Sequence, residues 1–142
     1  GTMEAVPLND DLSKRIGDPI FLFKASDAPW LDQGVTPSTK AMQYVTDGLE
    51  LYRTHDGHLL MLWSSFGRGG YVTGVARSAN GEVTGPWVQG REPLFAGDGG
   101  HPMLFRTLGG DLMLALHTPN ALGKERAKFL PVRETRDGLE LT

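Results

Sequence analysis

The sequence contains no cysteine. This absence excludes disulfide bridges, thiolate metal sites and a cysteine nucleophile, but it leaves the cellular compartment open. There is also no run of about 20 apolar residues that could span a bilayer, and the first residues lack the basic and apolar segments of a signal peptide. We therefore expect a soluble chain, either cytoplasmic or secreted with a signal outside the 142 residues.

Clusters of lysine and arginine are missing as well, and the formal net charge is −3. These features argue against a nucleic-acid partner or a membrane surface and favour a neutral or small partner. Helical patterning is scarce, because no window keeps apolar residues at helical spacing without a glycine or a proline. A length of 142 residues with 39% hydrophobic content fits one core, so we expect one folded unit or a piece of one.

What the sequence does contain is an internal repeat. The stretch LYRTHDGHLLMLWSS (51–65) aligns without gaps with LFRTLGGDLMLALHT (104–118), 53 positions later. Each copy places a turn dipeptide, Asp56-Gly57 or Gly109-Gly110, between two short apolar strands. A two-residue turn of this type is a strong hairpin signal, so both copies are predicted to be β-hairpins.

Further strand and turn patterns surround the two hairpins and indicate about two and a half four-stranded antiparallel units. Such units are the blades of a β-propeller, in which small sheets surround a central channel. We predict the end of one blade and a crossing segment over 1–43, a second blade over 44–97 and a third over 98–142. The apolar runs 59–63 and 112–116 do not alternate, which predicts strands buried on both faces.

Two polar residues stand at the start of successive blades. Asp47 lies in VTDGLEL (45–51) and His101 lies in DGGHPML (98–104), at a spacing of 54. Because the first strand of each blade lines the channel, we expect this carboxylate and this imidazole to face one cavity. Plain turn chemistry is the alternative interpretation of both residues.

With these motifs the chain resembles the glycoside hydrolases of family 43. The resemblance also covers FKASDAPW (23–30), GYVTGVARSANGEVTGPW (70–87) and ERAKFLPV (125–132), in the family's order. It implies a five-bladed propeller and an inverting hydrolase of α-L-arabinofuranosides or β-D-xylosides, so the expected partner is a carbohydrate. The chain supplies about half of such a propeller.

The resemblance also assigns roles to the two polar residues. Asp47 falls where the family has its general acid, usually a glutamate followed by Gly-Pro, whereas this chain has Gly48-Leu49. His101 matches a histidine that holds a water or a metal ion in the channel, and Pro102 replaces a glycine that usually follows it. No cofactor is required by this scheme, although calcium or another ion is a candidate for the channel.

Three further side chains are candidates near the site. Trp30, next to Pro29 in the long crossing segment, is predicted to stack on sugar rings, whereas Trp63 and Trp87 are assigned to packing between blades. Asp27 is predicted either to approach the mouth of the site or to act as an exposed turn carboxylate. His117 either faces the channel or ends a strand.

Two function classes stay open at this point. In the first, the chain is part of a glycosidase whose general base lies outside it, so the isolated chain does not hydrolyse glycosides. In the second, it is a catalytically inactive propeller fragment that binds sugar or assembles with itself. Because an unclosed propeller exposes sheet edges and faces, we expect a homo-oligomer or a complementary propeller half as partner.

Overall fold

The computed structural model describes residues 1–31 and 44–142, and within these ranges it contains ten β-strands and no α-helix. Within the same ranges one 3₁₀ turn, Ala25–Asp27, follows the second strand. No helix in these ranges has the length and apolarity needed to cross a membrane. The strands are β1 (Thr2–Ala5), β2 (Ile20–Lys24), β3 (Asp47–Arg53), β4 (Leu59–Gly67), β5 (Gly70–Ser78), β6 (Trp87–Gln89), β7 (Gly100–Arg106), β8 (Leu112–Thr118), β9 (Arg126–Thr135) and β10 (Gly138–Leu141).

The strands form three antiparallel sheets, each made of consecutive strands. A two-stranded sheet pairs β1 with β2, and two four-stranded sheets follow in the orders β3-β4-β5-β6 and β7-β8-β9-β10. The predicted all-β fold of four-stranded antiparallel blades in an incomplete propeller is confirmed. The crossing segment predicted within 1–43 lies partly outside the described residues, and the blade boundaries stay predictions.

Both predicted hairpins are confirmed, but their loops have three residues rather than two. In the first, the Thr54 amide donates to the His58 carbonyl and the Gly57 amide donates back to Thr54. Gly57 has a left-handed φ of 84°, and Gly110 in the second hairpin has 95°. A three-residue loop that ends in a left-handed glycine is the second common way to close a hairpin, which is why the dipeptide alone suggested the wrong length.

The arginine and threonine that both copies of the repeat share stabilise these loops. In the first hairpin, Arg53 Nη1 donates to the Gly57 carbonyl at 3.0 Å, and the Thr54 hydroxyl accepts from the His58 amide at 3.0 Å. The second hairpin repeats both bonds at 3.1 Å, from Arg106 and to Thr107. We call this arrangement the Arg-Thr loop. It explains the matching sequence by turn chemistry rather than by a shared ligand.

The core has two parts, one on each side of the sheet β3–β6. The first part packs this sheet against the β1–β2 hairpin, and the second packs it against β7–β10. Every residue of the run 59–63 is buried, which confirms the prediction that β4 is covered on both faces. The two parts centre on Phe23, Trp30, Met61, Trp63 and Val72, and on Leu62, Leu104, Leu112, Leu114, Leu116 and Val132.

The same prediction is wrong for β8. Its buried residues alternate, because one face of the sheet β7–β10 is uncovered by the described residues. Directly paired residues on that face include Met103, Ala115 and Phe129, and Met103 and Phe129 are 53% and 58% exposed. Phe105 stacks edge-on against Phe129 at 5.9 Å. We call this surface the open face.

Side chains of β3 hold the second and third sheets together. Glu50 accepts a hydrogen bond from the Leu104 amide at 2.5 Å, and burial raises the pKa of Glu50 although this bond opposes the shift. Farther along, the Tyr52 hydroxyl donates to Glu134 of β9 at 2.5 Å. Burial raises the pKa of Glu134, but bonds from Tyr52 and the His55 amide, together with the Arg106 charge, lower it overall.

Candidate functional site

Two equivalent register shifts shape the start of β3 and of β7. The pairing of β3 with β4 shifts between Asp47 and Glu50, and the pairing of β7 with β8 shifts between Gly100 and Met103. A β-bulge of this kind bends the strand and turns a side chain away from its regular direction. The two shifts therefore decide where the side chains at the blade entries point.

The shifts bring the two predicted site residues into contact. His101 Nε2 lies 3.2 Å from Asp47 Oδ1, and the two side chains are 51% and 46% exposed. The approach depends on Gly48, because a Cβ at that position would lie only 2.5 Å from the Cα of His101. The two residues that were predicted to face one cavity are thus in contact. A cavity around them and their roles in binding and catalysis stay predictions.

Both oxygens of Asp47 accept further hydrogen bonds. The Gly48 amide donates to Oδ1 at 2.8 Å, and the Tyr71 hydroxyl of β5 donates to Oδ2 at 3.0 Å. Tyr71 is 3% exposed. Burial, followed by the bond and charge of Asp47, raises the pKa of Tyr71 far above its ordinary value, so the phenol remains a donor.

An outer group of residues supports this contact. The ring of His117 stacks on Tyr71 at 5.9 Å and lies 5.2 Å from the ring of His101. Asp98 accepts from the Tyr71 amide and from the Asn120 amide, each at 3.1 Å. His117 is the next-to-last residue of β8 and lies beside His101, so both alternatives for it stay open.

Sequence reasoning missed Tyr71, Asp98 and Asn120. Asp98 stands three residues before His101, and Asn120 stands three after His117, so proximity to the candidate histidines was an available signal for both. Tyr71 gave no such signal, because it reaches Asp47 only through the pairing of β4 with both β3 and β5.

The described residues do not fit a metal ion on their own. Within 1–31 and 44–142, no three histidine, aspartate or glutamate side chains are grouped closely enough to hold one. Calcium requires six to eight oxygen ligands, and both Asp47 oxygens already accept hydrogen bonds. The predicted channel ion therefore stays a prediction.

The sugar-stacking prediction for Trp30 is wrong. The residue is 7% exposed, and its ring packs against Trp63 at a centroid distance of 4.8 Å and lies over Gly74, where a Cβ would come within 2.1 Å. A tryptophan buried to this extent cannot present its ring as an open platform for a sugar. The assignment of Trp63 to packing is confirmed, and Trp87 packs partly buried against the same cluster.

Asp27 caps the 3₁₀ turn. Its Oδ2 accepts from the Lys24 amide at 2.9 Å, and the residue is exposed. This is the turn-carboxylate alternative of the sequence analysis, and its role in substrate binding stays a prediction.

A cavity of about 640 Å³ lies away from the Asp47 contact. It opens between the outer strands of the two large sheets and is lined by Val75, Gln89, Leu94 and Leu139 among others. None of its lining residues belongs to the Asp47 and His101 site. The cavity and the polar contact therefore lie at different places. We base the proposed function on the contact, because it brings together side chains that can take part in chemistry.

The chain was compared with protein-family models and with solved structures. No protein-family model matches the chain. Among solved structures, it is similar to an endo-arabinase from Bacteroides thetaiotaomicron VPI-5482, with 44% identity and a TM-score of 0.86 over 95% of this chain and 47% of that one.

Two more distant structures share the fold. A thermostable family-43 glycoside hydrolase has 18% identity and a TM-score of 0.77, over 99% of this chain and 47% of its own. An endo-1,4-beta-xylanase from Bacteroides thetaiotaomicron VPI-5482 has 20% identity and a TM-score of 0.77, over 99% and 50%. The chain thus spans about half the length of these structures.

Proposed function

Because the chain resembles part of a glycoside hydrolase family 43 propeller, we propose that it supplies one side of a glycosidase site for arabinose- or xylose-containing glycans. The observation that carries this proposal is the contact between Asp47 and His101 at equivalent entries of two successive sheets. The similarity to an endo-arabinase supports arabinose-containing glycans first.

In the proposed mechanism, Asp47 is the general acid. Inverting hydrolysis requires one carboxylic acid to protonate the leaving oxygen and a second carboxylate, about 6.5–9.5 Å away, to deprotonate the attacking water. The proton of Asp47 passes to the glycosidic oxygen as the bond from that oxygen to the anomeric carbon breaks. The water oxygen bonds to the anomeric carbon from the opposite face and gives its proton to the base.

We assign the base to residues outside this chain. His101 lies beside Asp47 with about half of its side chain exposed, so it can hydrogen-bond a sugar hydroxyl next to the scissile bond. On this basis the isolated chain binds an arabino- or xylo-oligosaccharide but does not turn it over. A longer protein that contains the chain and supplies the base hydrolyses it.

The test measures binding and turnover separately. Calorimetry with arabino- and xylo-oligosaccharides reports binding by the 142-residue chain, and sugar release reports turnover by a longer protein that contains it. Asp47→Asn should lower kcat on oligosaccharides by about 10²–10⁴-fold, the usual contribution of a general acid. Dinitrophenyl glycosides, whose leaving group needs little protonation, should lose much less activity.

Asp56→Asn is the matched control, because Asp56 lies in an exposed hairpin loop at the other end of β3 and β4. It should leave both measurements unchanged. Full oligosaccharide hydrolysis by the Asp47→Asn protein would overturn the assignment.

A second candidate function is a non-catalytic module that assembles through the open face. The exposed Met103 and Phe129 favour this alternative, because large apolar patches on a protein surface commonly mark an interface. Absence of turnover from every longer protein, together with a stable oligomer of the chain, would select it.

A further inference from the structure

We infer that Tyr71 is a positioning residue that fixes the Asp47 carboxyl group in one orientation, an inference that rests on the proposed function. The residue lies in β5, two strands away from Asp47 in the same sheet. Its hydroxyl donates to Oδ2 of Asp47 at 3.0 Å, and the Gly48 amide donates to Oδ1 at 2.8 Å. Donors on two different oxygens prevent free rotation of the carboxyl group.

Tyr71 can hold this position because its own ring is fixed. Phe66 packs on one side at a centroid distance of 5.1 Å, and His117 stacks on the ring at 5.9 Å. The Tyr71 amide donates to Asp98 at 3.1 Å. The ring also passes close to the backbone of β7, where a Cβ on Gly100 would lie 2.2 Å from Tyr71 Cε1.

Each oxygen of Asp47 has its own donor, Tyr71 at Oδ2 and the Gly48 amide at Oδ1, so the plane of the carboxyl group is fixed relative to β5. Tyr71 stays protonated because burial and Asp47 raise its pKa. It therefore orients the acid without exchanging a proton with the substrate.

The test compares Tyr71→Phe with Tyr52→Phe. The two substitutions are matched, because each removes a tyrosine hydroxyl that donates to a carboxylate, Asp47 in one case and Glu134 in the other. In a longer, active protein, Tyr71→Phe should lower kcat about tenfold to a hundredfold, the range for a lost hydrogen bond to a charged group, with KM within about twofold. Tyr52→Phe should leave kcat unchanged.

A second readout does not depend on activity. In the 142-residue chain, the ¹³C chemical shift of the Asp47 carboxyl carbon at pH 7 should change in Tyr71→Phe and remain unchanged in Tyr52→Phe. An unchanged Asp47 signal in Tyr71→Phe, or an equal loss of kcat in both variants, would overturn the inference. If Asp47→Asn keeps full activity while the Asp47 signal responds to Tyr71→Phe, the proposed function fails and the positioning contact stands.

Discussion

His101 occupies in β7 the position that Gly48 occupies in β3. Both residues lie within the register shift at the blade entry, and their φ angles are 53° and 51°. Gly48 and His101 are 53 positions apart, as the repeat requires. The polar residue of the first blade, Asp47, stands one position before Gly48, so Asp47 and His101 are 54 positions apart. A left-handed φ costs a residue with a Cβ about 1–2 kcal/mol, so His101 is held there by its surroundings.

Gly48→Ala should destabilise the chain more than Gly57→Ala. Both glycines have a positive φ, but a Cβ at Gly48 would lie 2.5 Å from the Cα of His101, whereas a Cβ at Gly57 meets nothing within 4 Å. Gly57→Ala should therefore cost about 1–2 kcal/mol from backbone strain alone. Gly48→Ala should exceed that value in urea unfolding, and equal costs would show that the entry of β3 moves freely.

Glu50→Gln should abolish a decrease in stability that the unmodified chain shows as pH rises from about 4.5. Burial raises the pKa of Glu50 in the folded chain, so the folded state binds more protons than the unfolded state between pH 4.5 and that raised value. Wild-type stability should fall as pH rises through this window and then level off. Urea unfolding measured across this pH range gives the free energy of unfolding. This free energy should fall with rising pH in the control Glu92→Gln, whose side chain is exposed, and should not fall in Glu50→Gln.

Glu134→Gln should have the opposite pH dependence. Burial opposes the shift, but bonds from Tyr52 and the His55 amide lower the pKa of Glu134 overall. Its contribution to stability is then present above its unfolded pKa and is lost as pH falls through the lowered folded value. The free energy of unfolding should drop in Glu134→Gln at pH 7 and converge with wild type in acid; a constant difference at all pH values would contradict this.

The open face should make the chain associate. Met103 and Phe129 are more than half exposed and lie on one face of the sheet β7–β10, so covering them removes apolar surface from water. Light scattering should show a mass above one chain that falls in the double variant Met103→Lys and Phe129→Lys. Leu108→Lys, at an exposed hairpin loop, is the control. A folded wild-type monomer at high micromolar concentration would rule the association out.

The sequence predicted the architecture well, because hairpins and blades depend on local patterns. Apolar strands, turn glycines and the repeat of Arg53-Thr54 in Arg106-Thr107 are all visible along the chain. The same local signals did not fix the loop length, since Asp-Gly occurs in both two-residue and three-residue hairpin loops. The contact of Asp47 with His101 was predictable because propeller geometry relates equivalent positions.

The remaining misses concern contacts between distant strands. Trp30 looked like an exposed platform because it sits in an irregular stretch, yet tertiary packing places it on Trp63. The partial exposure of β8 depends on which other elements cover the sheet, and the sequence of β8 does not show this. The contact of Tyr71 with Asp47 depends on the pairing of β5 with β4 and on the passage of the Tyr71 ring close to Gly100.

The Arg-Thr loop of the first hairpin lies at the end of β3 opposite Asp47, and β3 itself spans seven residues. Changes to the composition of that loop are separated from Asp47 by the length of β3. Substitutions that raise heat tolerance at this loop and substitutions around Asp47 should therefore combine with little interference.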